Sequence, residues 1–220
     1  ALEEYGVSTD TFYKLDKFEP NEAYYGIENY LLDNRIKSAD EFYTLDDHDD
    51  IVLSNQAREI LKNLIEAPND KYIGILRLSG KIRLNNKKKS ESQFEYFKKH
   101  FHETFKDEKT GKKIIFRYSG TNDSSIDWSN PNIWKEDFNR HEYKYVIVIN
   151  QTCGRSTEWT CHQYCCWYHC RRSPDSTIST CLQDQERIVY YKNPNLHINL
   201  IIYGDIFFDV LRKFLNCITL

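Results

Sequence analysis

Tyr143-Lys144-Tyr145-Val146-Ile147-Val148-Ile149-Asn150 is the stretch on which the reading of this chain turns. Val146 to Ile149 are apolar and β-branched without alternation, so both faces of the segment need burial, as in the central strand of a sheet covered on both sides. The segments around it supply the cover. Ser54 caps a helix with Ala57, Ile60, Leu61, Leu64 and Ile65 in register until Pro68. Tyr72 to Leu78 and Lys81 to Leu84, separated by Ser79-Gly80, read as a hairpin or two consecutive strands. Phe94, Phe97, Phe101 and Phe105 recur at three and four residues, which predicts a helix from Ser90 or Ser92 over three turns with an aromatic, core-facing stripe. The Thr110-Gly111 turn leads to a strand over Lys113 to Tyr118, followed by a polar loop carrying Trp128 and Trp134.

Two further helices are expected near the start. Pro20 and Asn21 open one with Tyr24, Ile27 and Leu31 on one face, and Ser38 with Glu41 forms a short capping box for the other. After Asn150 the composition changes, because all seven cysteines lie between Cys153 and Cys217. Ser156 or Thr157 is expected to cap a helix reaching about Arg171. Arg187 to Tyr191 and Leu196 to Tyr203, joined across Asn193-Pro194-Asn195, read as an antiparallel hairpin. Asp205 then caps a last helix with Val210, Leu211, Phe214 and Leu215. The fold class that follows is α+β: mixed helices and a central sheet, with a cysteine-rich, disulfide-stapled C-terminal third. Residues 1–150 form the cysteine-free α/β part and residues 151–220 a cysteine-rich helix-hairpin-helix part, the two sharing one continuous core.

Placed on a helix, Cys161, Cys165, Cys166 and Cys170 cannot easily bridge one another, since positions four apart have nearly parallel Cα–Cβ vectors and neighbours rarely pair. Their partners are then Cys153, Cys181 and Cys217, giving three bridges and one odd thiol, free or joined to a second chain. Such cysteine density, with no methionine and Ala1 at the start of the sequence, leads to the expectation of an exported protein whose signal peptide has been cleaved. Two glycosylation sequons, at Asn122 and Asn150, are no more than chance would place. The competing use of the same residues is a metal site from His162, Cys166 and His169, four and three apart on one helical stripe; no Cys-x-x-Cys knuckle accompanies it, so disulfides are preferred and no metal is assigned.

A net charge of −3 and a mean hydropathy of −0.69 argue against a surface that coats nucleic acid, and the apolar runs are too short to span a bilayer. The charge is patterned nonetheless. Arg77, Lys81, Arg83, Lys87, Lys88 and Lys89 form a basic stretch suited to an anionic partner such as RNA or a heparin-like glycan. Asp40, Glu41, Asp46, Asp47, Asp49 and Asp50 form an acidic one, and solvated faces that complement each other account for both. A nuclease at the basic stretch would need acid and base groups such as Glu103 with His100 or His102, or His141 with Glu142.

Cys153, in Asn150-Gln151-Thr152-Cys153-Gly154, stands between a buried strand and a helix start, where a thiol is acidified. His197 opens His197-Ile198-Asn199-Leu200-Ile201-Ile202-Tyr203-Gly204, which resembles the histidine strand of papain-like thiol hydrolases. That resemblance implies a Cys153–His197 pair oriented by Asp205 or Asp209. The disulfide count claims Cys153 for a bridge instead. Cys217-Ile218-Thr219-Leu220 matches a prenylation box, which would require a cytosolic protein. No cofactor motif is present. The function expected is therefore a secreted, disulfide-stabilised interaction protein, a toxin, effector or ligand, that binds a partner surface. The alternative is a secreted hydrolase, either a nuclease at residues 77–89 or a thiol enzyme through Cys153 and His197.

Overall fold

A computed structural model describes residues 24–25, 29–30, 33–85, 89–120, 126–127, 130, 132–136, 142–150, 160–171, 190–191 and 200–204. It is a mixed α/β architecture around a mostly parallel seven-stranded sheet. The segment that decides the reading is strand β10 (Tyr143–Ile149), paired in parallel with β5 (Ile73–Leu78) on one side and β9 (Lys113–Ser119) on the other. Beyond β5 lie β11 (Cys165–Arg171), β13 (Ile201–Gly204) and the edge strand β2 (Ile36–Ser38), all parallel. Beyond β9, the two-residue β8 (Phe105–Lys106) closes the far edge in antiparallel sense. Two-stranded pairings complete the set: β1 (Tyr24–Tyr25) with β12 (Tyr190–Tyr191), β3 (Tyr43–Leu45) with β4 (Ile51–Leu53), and β6 (Lys81–Arg83) with β7 (Ser90–Ser92).

Both faces of the sheet are covered, as the unbroken apolar run of β10 requires. One face packs on α1 (Asn55–Glu66) and α2 (Gln93–His100), where Leu76, Leu78, Val146, Val148, Trp167 and Tyr203 meet Ile60, Leu61, Leu64, Phe94 and Phe97. On the opposite face Ile73, Ile75, Tyr145, Ile147, Tyr168 and Cys170 pack with Tyr30, Ile126, Tyr164 and Trp134 of the short α3 (Ile133–Glu136). Helix α1 buries the five residues that the spacing selects, and Ser54 Oγ accepts the Ala57 amide at 3.1 Å. That cap satisfies one of the amides left over at a helix start. Ser54→Ala is expected to cost about 1 kcal/mol, read as a lower urea midpoint at unchanged slope; an unchanged midpoint would show the cap to be idle.

Several expectations are corrected. Ser38 does not open a helix. It ends β2, because Ile36 and Ala39 are buried and Ala39 N donates to Gly204 O at 2.7 Å, so sheet pairing prevails over the local capping box. Tyr24 lies on a strand, while Ile27 and Leu31 fall outside the described residues. The aromatic helix stops at His100: Phe101 is its C-cap and Phe105 belongs to β8, though Phe97, Phe101 and Phe105 still stack at centroid distances of 4.3 and 6.4 Å. The segments on either side of Ser79-Gly80 are consecutive strands of different sheets, since β6 pairs with β7 and not with β5.

The larger correction concerns the cysteine-rich run, which is not a helix. His162–Tyr164 is a single 3₁₀ turn and Cys165–Arg171 is a strand flanked on both sides by β5 and β13. Trp and Tyr favour strands, Cys is among the residues most often buried, and a spacing of four puts residues on one side of a strand as well as of a helix. A register shift between Cys165 and Trp167 turns both Cys166 and Trp167 toward the α1 face. Among the described residues the expected antiparallel hairpin is not seen either: β12 pairs with β1, and β13 runs parallel between β11 and β2. The final helix from Asp205 lies outside the described residues.

Candidate functional site

The sheet topology singles out one place. From β5 the chain winds outward to β8 and β9, returns to β10, and then crosses to β11 on the other flank of β5 before continuing to β13. Connections leaving β5 and β11 thus depart to opposite sides. In open parallel sheets such a reversal leaves a crevice at the carboxyl ends of the two strands, where ligands bind. Here the residues at those ends are Arg77 and Leu78 of β5 facing Cys170 and Arg171 of β11.

Arg77 is 5% exposed, so the structure corrects its place: it does not belong to a solvated basic surface. Along β5 it shares a face with Ile73 and Ile75, as the period of two dictates. The Tyr168 hydroxyl, on the same face of β11, lies against the Arg77 guanidinium and the Cys170 thiol. Burial first, and the neighbouring Cys170 second, raise the Tyr168 pKa well above its ordinary value, while the guanidinium works against them. The hydroxyl therefore stays protonated, able to donate and accept. Only Leu78, Ser79 and Gly80 separate Arg77 from the exposed Lys81; Arg83 and Lys89 are exposed too, and Lys87 and Lys88 fall outside the described residues. Of the acidic stretch, Asp46, Asp47, Asp49 and Asp50 lie in the turn of the β3–β4 hairpin, while Asp40 and Glu41 precede β3. Asp46 accepts the amides of His48 and Asp50 at 2.8 and 2.9 Å, which hold its carboxyl below the usual range. Asp49 in turn accepts the Asn85 amide at 2.7 Å, docking this turn on the end of the basic hairpin.

The other candidates are dispersed. His169 lies in β11 with Nε2 3.1 Å from Asp40 O and its ring against Phe42, whereas His162 sits on the 3₁₀ turn and Cys166 faces α1. No group of three metal-ligating side chains occurs among the described residues. Glu103 pairs with Arg58 at 3.5 Å, and His100 stacks on Tyr96 with ring centroids 4.4 Å apart. His102 and Glu142 are exposed, while His141 falls outside the described residues, as do Cys153, His197, Asp209, Cys181 and the Cys217 box. Cys161, Cys165 and Cys170 are buried and Cys166 half-buried, with no pair at disulfide distance among the described residues. No helix is long and apolar enough to cross a membrane among the described residues.

At the opposite, amino end of β11 and β13 a cleft of about 380 Å³ opens between α1 and the sheet, lined by Ile60, Asn63, Lys71, Cys165, Cys166 and Trp167 among others. The Cys166 thiol is pushed up to about 12 by burial, so only a minor fraction is thiolate near neutrality. Behind the cleft lies a residue that sequence reading passed over. Lys144 is fully buried, and its Nζ donates to Ala67 O, Pro68 O and Lys71 O at 2.8, 2.8 and 2.7 Å. Its only signal in the sequence is a lysine inside an apolar run.

Compared with known proteins, the chain matches no family model, no curated protein and no solved structure.

Proposed function

We propose that this chain is a binding protein that takes an anionic group of its partner at the carboxyl edge of the sheet, between β5 and β11. The observation that carries the reading is the burial of Arg77 at the end of a central strand, at the point where the winding of the chain reverses. A guanidinium offers a planar fork suited to carboxylate, phosphate or sulfate, and in a low-dielectric crevice such bonds are stronger than at an open surface. Tyr168 supplies a neutral hydroxyl beside it, and Lys81 and Arg83 extend the positive potential outward to steer an anion in. Secretion belongs to the same proposal, as does stapling of the last third by disulfides among its seven cysteines; the density of cysteines after residue 150 supports both.

The test is retention on immobilised heparin together with calorimetric titration by inorganic phosphate, for the parent and for Arg77→Gln and Arg77→Lys. Arg77→Gln is expected to weaken binding at least tenfold, or about 1.4 kcal/mol, with Arg77→Lys in between. Lys81→Ser with Arg83→Ser should flatten the salt dependence of heparin retention by about two charges. Unchanged binding by a folded Arg77→Gln, judged by circular dichroism, would refute the assignment of the site.

A further inference from the structure

The 3₁₀ turn His162–Tyr164 is closed at its ends by two cysteines, and the chain path there removes the reason for which they could not pair. In a helix Cys161 and Cys165 would point the same way along one face. Here Cys161 precedes the turn and Cys165 begins β11, so the backbone folds back and brings the two sulfurs to 3.6 Å. Both side chains are buried, at 0% and 1% exposure, in the same core cluster. A disulfide needs about 2.05 Å between sulfurs, so an approach of about 1.5 Å suffices, within the reach of side-chain rotation.

The turn is also held in place from outside. Tyr72 N donates to Tyr164 O at 3.0 Å, and Lys71 Nζ donates to Gln163 O. These bonds fix the turn against the start of β5 and keep the two sulfurs opposed. Access comes from the cleft between α1 and the sheet, since Cys165 forms part of its wall beside Cys166 and Lys71. The Lys71 ammonium favours the Cys165 thiolate, against the stronger effect of burial, which raises that thiol.

We propose that Cys161 and Cys165 form an intrachain disulfide that closes this turn, with a small disulfide such as oxidised glutathione entering through the cleft as oxidant. The exchange balances. One cysteine sulfur, as its thiolate, attacks the glutathione disulfide, forming a mixed disulfide and releasing one glutathione thiolate, which takes up a proton. The second cysteine loses its proton and displaces the other glutathione. Two protein S–H groups are lost, one S–S bond forms, and one glutathione disulfide is reduced to two thiols. Neighbouring Cys166 is the extra residue of the register shift and faces α1, away from Cys161, so it does not compete.

The experiment is peptide mapping of the folded, full-length chain after exposure to oxidised glutathione, then alkylation in denaturant without reduction. Trypsin isolates Cys161, Cys165, Cys166 and Cys170 in a single peptide, 156–171, with Cys153, Cys181 and Cys217 on others. Expected is a 156–171 peptide two hydrogens lighter than the reduced form, with alkyl groups on Cys166 and Cys170 alone by fragmentation. Cys161→Ser should leave Cys165 alkylated, whereas Cys170→Ser should keep the bridge. Four alkyl groups on 156–171, a Cys165–Cys166 link, or bridging of Cys161 or Cys165 to another peptide would each overturn the proposal. The outcome is independent of whether an anion binds at Arg77, because that is read by titration and this by mass.

Discussion

Gly74→Ala is expected to destabilise the fold by about 3 kcal/mol, the upper part of the range for overpacking a core, and to lower the melting temperature by about 10 °C for a chain of this size. Gly74 lies in β5 directly opposite Trp167 of β11. A methyl group built on it would sit 2.3 Å from Trp167 Cζ2 and 2.4 Å from Cε2, far inside contact distance. Neither side can yield easily. The indole is a rigid ring, 2% exposed and packed among α1 and β13 residues, and the glycine backbone is held between two parallel neighbours. The glycine is thus required by close approach and not by an unusual backbone angle. Trimming the ring should relieve the clash: Gly74→Ala with Trp167→Leu is expected to be more stable than the sum of the single changes by about 2 kcal/mol. A Gly74→Ala chain that melts with the parent would mean that the indole does not occupy this place.

Lys144→Met is expected to cost about 3 kcal/mol near neutral pH, within the range for removing one partner of a buried, charge-assisted network. Methionine is unbranched and only one atom shorter than lysine, so it keeps most of the apolar contacts and the loss reports chiefly on the ammonium. That group binds three carbonyls at and just after the end of α1, where a helix presents unsatisfied acceptors and the negative end of its dipole. Two effects compete, since burial, with a smaller contribution from Lys112, also pushes the Lys144 pKa down to about 8. The three hydrogen bonds win, because the carbonyls of Ala67, Pro68 and Lys71 would lose their charge-assisted donor.

The pH dependence carries a definite sign. With the folded pKa depressed below the unfolded value of about 10.4, the unfolded chain retains a proton that the folded chain has released, so this group adds stability as pH rises from about 8 toward 10.4. The deficit of Lys144→Met relative to the parent should therefore widen over that interval in parallel urea titrations. A deficit that narrows would assign the shift the wrong direction.

Legibility in the sequence followed the strength of local signals. Helix α1 was readable to the residue because a cap, a five-residue apolar stripe and a proline agree, and no other period competes with them. Strands β9 and β10 were readable from β-branched runs. The parallel order was not, since nothing local distinguishes a strand that pairs with its sequence neighbour from one that skips over it. Cys161 to Cys170 misled for a sharper reason: a spacing of four satisfies both periods, and only the flanking of β11 by β5 and β13 decides between them. That error also hid the approach of Cys161 to Cys165. At the candidate site, Arg77 was selected by its charge but placed with the wrong neighbours. Lys144 went unnoticed because its partners are backbone carbonyls some 70 residues away.

The pairing of β2 with β13 sets the pace at which the molecule can be finished. Ile36 meets Ile202, so one edge of the sheet joins residues from opposite ends of the sequence. A ribosome adding about 5 to 20 residues per second leaves β2 waiting on the order of ten to thirty seconds for its neighbour. During that interval β5, β9 and β10 can associate, but the flank of β5 that later receives β11 and β13 presents open backbone donors and acceptors to any extended chain nearby. Topologies so rich in distant pairings also fold slowly once complete. Successful production of the chain should accordingly depend on what shields that flank during synthesis, and slower translation would prolong its exposure.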